Sequence, residues 1–200
     1  MTVQRRPPGD LTKQLFKSAG NATSAWFMSA DHLLAGARVL ILELRHLDMD
    51  LPIGSKIPQE AKLLPSAFLL YGFALENLLK ALWLKHGNMF VVDDKFVGIK
   101  GISGHDLPKL AQVTNFSVNE EEKLSLSSLH IKLVSSARYP IGKDLSKHCF
   151  ISYPNGGFGS NTPFNSGDIS IIECMVGRLI KELGYDGEST VSPDQILDQQ

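Results

Sequence analysis

Cysteine is nearly absent from this chain: only Cys149 and Cys174 occur in 200 residues. A pair so placed makes no disulfide framework and has no metal-ligand spacing, which excludes a disulfide-stapled scaffold and predicts a reducing, cytoplasmic setting. A dominant charge is missing too. With 20 basic and 21 acidic side chains the formal net charge is -1, so the chain lacks the whole-domain field by which nucleic-acid binders gather phosphates. Only a local basic patch stays open. The six histidines form no His-Glu-x-x-His pattern and the acidic residues no calcium loop, so neither a metal nor another cofactor is expected. The glycines of Asn155–Asn161 resemble a phosphate loop in composition only, because no Gly-Lys-Ser/Thr follows them and no strand is expected before them. Residues 1–10 are polar, with Pro7 and Pro8 adjacent, and contain no apolar leader. The longest apolar run, Leu63–Leu84, is interrupted by Glu76, Asn77 and Lys80. Three polar groups near the middle of a span are costly in lipid, so a protein core is the expected environment and a membrane is not.

What is present is helical periodicity. Hydrophobic residues make up 43 % of the chain and charged residues 20 %, the balance of a folded domain large enough to bury a core. Residues 1–20 read as a flexible segment or a short helix over Leu11–Ser18, residues 21–185 as one helical bundle, and residues 186–200 as a polar tail. The first long helix is expected from Ala22 to Leu47, with Trp26, Ala30, Leu33, Leu34, Ala37, Leu40, Ile41 and Leu44 as its buried stripe. Asp31, Arg38 and Arg45, seven apart, read as a solvated or partner-facing ridge. Pro52, Gly54 and Pro58 then prevent continuation. The second helix, Leu64–His86, opens on Pro65 in its first turn and is apolar over nearly its full circumference, which requires enclosure by other helices. Gly87 ends it.

Residues 88–103 fit a loop or a small hairpin, and Asp106–Val113 a short helix. Ser117 with Glu120 has capping-box spacing for a helix to about Val134, whose inward row is Leu126, Leu129 and Leu133. A Gly-, Pro-, Ser- and Asn-rich connection fills Tyr139 to Ser166, too long for an ordinary bundle turn. Asp168 reads as the cap of a last helix ending at Gly184. The expected fold is therefore all-α: an up-and-down bundle of four to five helices with a long loop before the last.

The run Tyr71-Gly-Phe-Ala-Leu-Glu-Asn-Leu-Leu-Lys-Ala-Leu, the later Gly104-His-Asp-Leu-Pro-Lys-Leu and Ala137-Arg-Tyr-Pro-Ile resemble, in that order, the HEPN superfamily, in particular its bacterial uncharacterised members. The resemblance spans roughly residues 22–184. It implies a helical bundle, often a homodimer, in a superfamily of RNA-cleaving toxins, nucleotide-associated proteins and degenerate non-catalytic forms. The ribonucleases of that superfamily carry an arginine and, a few residues on, a histidine at a composite dimer site. Arg138 matches the arginine; the next histidine, His148, follows after nine intervening residues, a departure from the pattern.

Several polar residues are candidates for chemistry. Glu76 and Lys80 are spaced i, i+4 on the apolar helix, either a satisfied structural pair or a means by which Glu76 steers Arg138 or His105 at a shared cleft. Arg138 can clamp a phosphate in bidentate fashion and Tyr139 can stack on a base; an arginine at a helix end also caps carbonyls. His105 and His148 are candidate catalytic bases, His148 with Arg138 fitting metal-free RNA cleavage. The irregular arginine–histidine spacing and the neutral net charge favour a non-catalytic or degenerate HEPN-like protein that binds a partner protein or a nucleotide- or RNA-like ligand, in defence or stress response. A metal-independent RNA endonuclease at a dimer interface and a structural subunit are the alternatives.

Overall fold

The computed structural model describes residues 9–45, 59–102, 104–133, 150–152, 158–160 and 166–185. It is all-α in its main mass. Helix α1 spans Asp10–Asn21 and α2 spans Thr23–Leu44; a 3-10 turn, Glu60–Leu63, leads into α3, Leu64–Lys85. A hairpin of β1, Val91–Val92, and β2, Lys95–Phe96, follows. Then come α4, Leu107–Val113; α5, Glu120–Ile131; a second antiparallel hairpin of β3, Phe150–Ser152, and β4, Phe158–Ser160; and α6, Ser166–Leu183. The described strands of the second hairpin lie within the long connection before the last helix.

Helix α3 is the axis. Ala67, Phe68, Tyr71, Ala74, Leu75, Leu78, Leu79, Ala81 and Leu82 are all buried, as a helix apolar on every side requires. Around it pack Phe27, Ala30, Leu34 and Ala37 of α2, Leu107 and Leu110 of α4, Leu126 and Leu129 of α5, and Ile172, Met175, Val176 and Leu179 of α6. Pro65 occupies the first turn, where its missing N–H costs nothing. Gly87, at φ +82°, ends the helix in a left-handed conformation that other residues adopt at a cost. By length and composition alone, α2 and the segment Glu60–Lys85 are each long and apolar enough to cross a membrane; two thirds of the α3 window is buried in the protein itself.

Several details differ from the sequence reading. A strand, β3, precedes the glycine-rich stretch Asn155–Asn161, where none was expected. The capping box of α5 is Asn119 with Glu122: the Asn119 side chain accepts from the Glu122 amide and the Glu122 carboxylate accepts from the Asn119 amide. Asparagine caps as well as serine, and the pair two residues on from Ser117 and Glu120 has the same spacing. Asp168 lies in the first turn of α6 and not at its cap, since the helix begins at Ser166. Arg38 is not on a solvated ridge. It is buried, and its guanidinium donates two hydrogen bonds to Glu173 of α6, at 2.9 and 2.8 Å.

The Tyr71 hydroxyl donates to the same carboxylate at 2.6 Å, so Glu173 ties α2, α3 and α6 together. Burial works against the Arg38 charge, but the Glu173 hydrogen bonds and charge outweigh it and hold the group protonated more firmly than usual. Burial, then the Glu173 carboxylate, push the Tyr71 hydroxyl well above the ordinary tyrosine range.

At the other end of the bundle, the Asn21 side chain accepts from the Phe90 and Val91 amides and donates to the Val91 carbonyl, standing in for a strand partner. Gly20 lets α1 approach this closely, because a Cβ there would lie 2.4 Å from a Val91 methyl.

Glu173→Ala strands a buried guanidinium and is expected to cost about 3 kcal/mol of unfolding free energy or more, whereas the apolar pair Arg38→Met/Glu173→Leu recovers most of it. Chemical denaturation of the three proteins measures both. A raised tyrosine pKa stabilises the fold fully below the unfolded-state value of 10.0 and loses that contribution as pH rises beyond it. Stability should therefore fall less steeply above about pH 10 in Tyr71→Phe than in the wild type.

Candidate functional site

Five residues after Tyr71, α3 places a buried acid, Glu76. Its carboxylate divides between two partners. Lys80, one turn further along the same helix, donates to Oε1, and the His105 ring donates from Nδ1 to Oε2 at 2.8 Å. The glutamate and lysine side chains are 6 % and 12 % exposed, whereas the histidine is 34 % exposed. The cluster thus runs from the core outward and ends on a partly solvated imidazole.

His105 is held on three sides. It lies just before Asp106, whose carboxylate accepts from the Lys109 amide and caps α4. The Phe73 ring meets the imidazole edge-on, with centroids 5.9 Å apart. The His105 carbonyl accepts from Nδ1 of His130 on α5 at 2.7 Å. A carboxylate offers only acceptors, so Nδ1 of His105 carries a proton. In the neutral ring Nε2 then holds the lone pair. That is the tautomer a carboxylate–imidazole pair imposes when the imidazole is to accept a proton or a hydrogen bond from a ligand.

Lys80 faces a further partner: its ammonium lies 5.0 Å from the centroid of the Trp26 ring on α2. It also lines a cavity of about 200 Å³ together with Gly104 and the apolar side chains of Phe90, Phe96, Val97, Ile99, Ile102 and Leu110. At Gly104 a Cβ would stand 3.6 Å from the Lys80 ammonium and 3.7 Å from Glu76 Oε1, so the backbone passes directly over the ion pair. Drug-sized ligands fill roughly 300–1,000 Å³, which limits this cavity to a single-ring fragment with the remainder of a ligand outside.

Of the residues singled out in sequence, Glu76, Lys80 and His105 converge. Arg138, Tyr139 and His148 lie outside the described residues. His130 and Trp26 were not foreseen as members: one enters through its contact with a backbone carbonyl, the other through a ring face, and neither leaves a spacing pattern. Lys132, on the last turn after α5, is held below the ordinary lysine range by burial, against the opposing pull of Asp168. Among the described residues no group of three or more His, Cys, Asp and Glu side chains assembles to hold a metal ion.

No family model, curated protein or solved structure matches the chain. The reading of the site accordingly rests on its geometry.

Glu76→Gln keeps the shape of the carboxylate but leaves a nearly buried ammonium without its counter-charge. It is expected to cost about 2–4 kcal/mol, and Lys80→Met combined with it is expected to cost less than the sum of the two single changes. Denaturation of the double-mutant set measures the coupling. The His105 ring resonances should shift in Glu76→Gln as well, since the amide no longer fixes the tautomer.

Proposed function

We propose that this helical protein binds a nucleotide-like ligand at the Glu76–Lys80–His105 cluster, as a non-catalytic, HEPN-like module. The observation that carries the reading is the divided Glu76 carboxylate. One oxygen holds a lysine at the wall of a ring-sized apolar cavity, and the other orients a one-third-exposed histidine whose chain neighbour, Gly104, lines that cavity. When the ring is neutral, His105 Nε2 is an acceptor suited to a ribose hydroxyl or a base N–H. The cavity walls suit the flat apolar face of a base, with Lys80 at its edge. This division of labour, an apolar pocket with a few convergent polar groups, is the usual form of a small-molecule site. The neutral net charge of the chain agrees with a short ligand rather than a long stretch of phosphate backbone. A role in defence or stress response, and a setting in the cytoplasm, belong to the same proposal through the HEPN resemblance.

A second reading has one observation in its favour. Glu76 with His105 is an oriented carboxylate–imidazole pair, the arrangement that prepares a general base. In metal-independent RNA cleavage such a base takes the 2′-hydroxyl proton while that oxygen attacks phosphorus and the 5′-oxygen departs; Arg138 would steady the equatorial oxygens and His148 protonate the leaving group.

Two experiments separate these readings. Titration of mononucleotides against Trp26 fluorescence, with Trp83→Phe removing the other indole, should give a saturable change. His105→Ala and Lys80→Met should weaken it at least about tenfold, which corresponds to roughly 1.4 kcal/mol. Unchanged affinity in both variants removes the binding reading. Incubation with single-stranded RNA and a chelator should leave the substrate intact; cleavage that is lost in His105→Ala, Arg138→Ala and His148→Ala would establish the endonuclease instead.

A further inference from the structure

Helix α1 is held to the molecule by one edge. Gly20 lies against Val91, Asn21 bonds to Phe90 and Val91, and Lys13 pairs with Asp94 of the first hairpin at 3.7 Å. None of its twelve residues is buried, and each from Asp10 to Ala19 is exposed. Leu11, Leu15 and Phe16 are 69 %, 62 % and 46 % exposed. A helix of this length is marginal in water by itself and ordinarily draws its stability from a buried apolar face. Among the described residues nothing covers that face of α1.

The side chains of α1 are sorted by side. At about 3.6 residues per turn, Leu11, Leu15, Phe16 and Ala19 fall within one sector, and Lys13, Gln14, Lys17 and Asn21 within the opposite one. Phe16 and Ala19 continue the apolar face into an open groove of about 370 Å³, whose other walls include Trp26 of α2 and Val91 and Phe96 of the hairpin. Phe96 is 55 % exposed. The side-chain donors along the groove are already engaged: Ser29 donates to the Ala25 carbonyl and the Trp26 indole to the Gly20 carbonyl.

Charge decides what fits this surface. Residues 1–20 hold Arg5, Arg6, Lys13 and Lys17 against Asp10 alone, a net charge of +3 in a chain whose total is -1. Lys13 is loosely held, since it and Asp94 are both about half exposed. A protein partner is ordinarily met by about one hydrogen bond per 100–200 Å² of interface, and the groove has no free side-chain donor to give. Nucleic acid would use the lysines and leave Leu11 and Leu15 in water. Lipid tails ask for no hydrogen bonds, and anionic headgroups ask for cations. A basic amphipathic helix beside an apolar groove matches both.

We propose that α1 docks the protein on an anionic phospholipid bilayer. Leu11, Leu15 and Phe16 enter the boundary of the acyl chains, Lys13 and Lys17 stay with the phosphates, and an acyl chain lies in the groove against Trp26 and Phe96. At about 1.5 Å per residue the helix is roughly 18 Å long, well short of the hydrocarbon layer of about 30 Å, so it lies on the membrane and does not span it. None of the α1 residues belongs to the Glu76 cluster, so the inference stands apart from the ligand reading.

Co-sedimentation of the full chain with vesicles tests it. Binding to mixed phosphatidylglycerol and phosphatidylcholine is expected to be at least about tenfold tighter than to phosphatidylcholine alone, and to weaken with salt. Leu11→Gln/Leu15→Gln and Lys13→Gln/Lys17→Gln should each weaken it about tenfold or more. Thermal unfolding should be unchanged in both, since the four side chains are exposed. With Trp83→Phe leaving Trp26 as the one indole, brominated acyl chains should quench its fluorescence. No binding to the mixed vesicles, binding indifferent to Leu11→Gln/Leu15→Gln, or a Trp26 that bromine does not reach overturns the proposal. Lysine-dependent binding to single-stranded RNA in place of vesicles does so as well.

Discussion

Burial of most of α3 is the constraint from which the rest of the structure follows, with a stripe through Leu69, Phe73, Asn77, Lys80 and Trp83 half-buried. On its buried faces a polar side chain has no water and must be met by a group from a neighbour. Two side chains on α3 make this demand most sharply. Tyr71 is answered by Glu173 of α6, which brings Arg38 of α2 with it. Glu76 is answered by Lys80 on its own helix and by His105 from the approach to α4. The polar partners of one helix thereby determine where three others sit, and hydrophobic packing fills the space between.

The two polar clusters are alike in chemistry and different in access. The Tyr71 cluster is closed: Arg38 and Tyr71 are 7 % and 1 % exposed, and every strong donor in the triad points at one carboxylate. Such a cluster specifies how helices assemble. The Glu76 cluster opens at His105, whose ring has its second nitrogen beyond the pair that holds it. A structural ion pair between Glu76 and Lys80 would be complete without a histidine. The added imidazole, fixed by Phe73 at its edge and by His130 at its carbonyl, leaves the cluster open on one side.

Much of this was legible in the residue order. The apolar circumference of Leu64–Lys85, its Pro65 start and its Gly87 stop are local signals, and they fall where the helix lies. The i, i+4 spacing of Glu76 and Lys80 announced their pairing, and His105 was a candidate recipient of Glu76. What escaped were the contacts distant in sequence. Arg38 shares a heptad spacing with Asp31 and Arg45, and periodicity cannot tell an inward arginine from an outward one when its partner, Glu173, stands 135 residues away. The capping box of α5 was misplaced by two residues because Ser117/Glu120 and Asn119/Glu122 have the same spacing; only the amide geometry separates them. Trp26 appeared as one of many core residues, although its ring face also receives the Lys80 ammonium.

Helix α2 joins these observations. It supplies Arg38 to the closed cluster and Trp26 to the open one. Position along the helix separates these duties: Trp26 lies near the amino-terminal end of α2 and Arg38 about three turns further on, so one helix contributes to both clusters through different side chains.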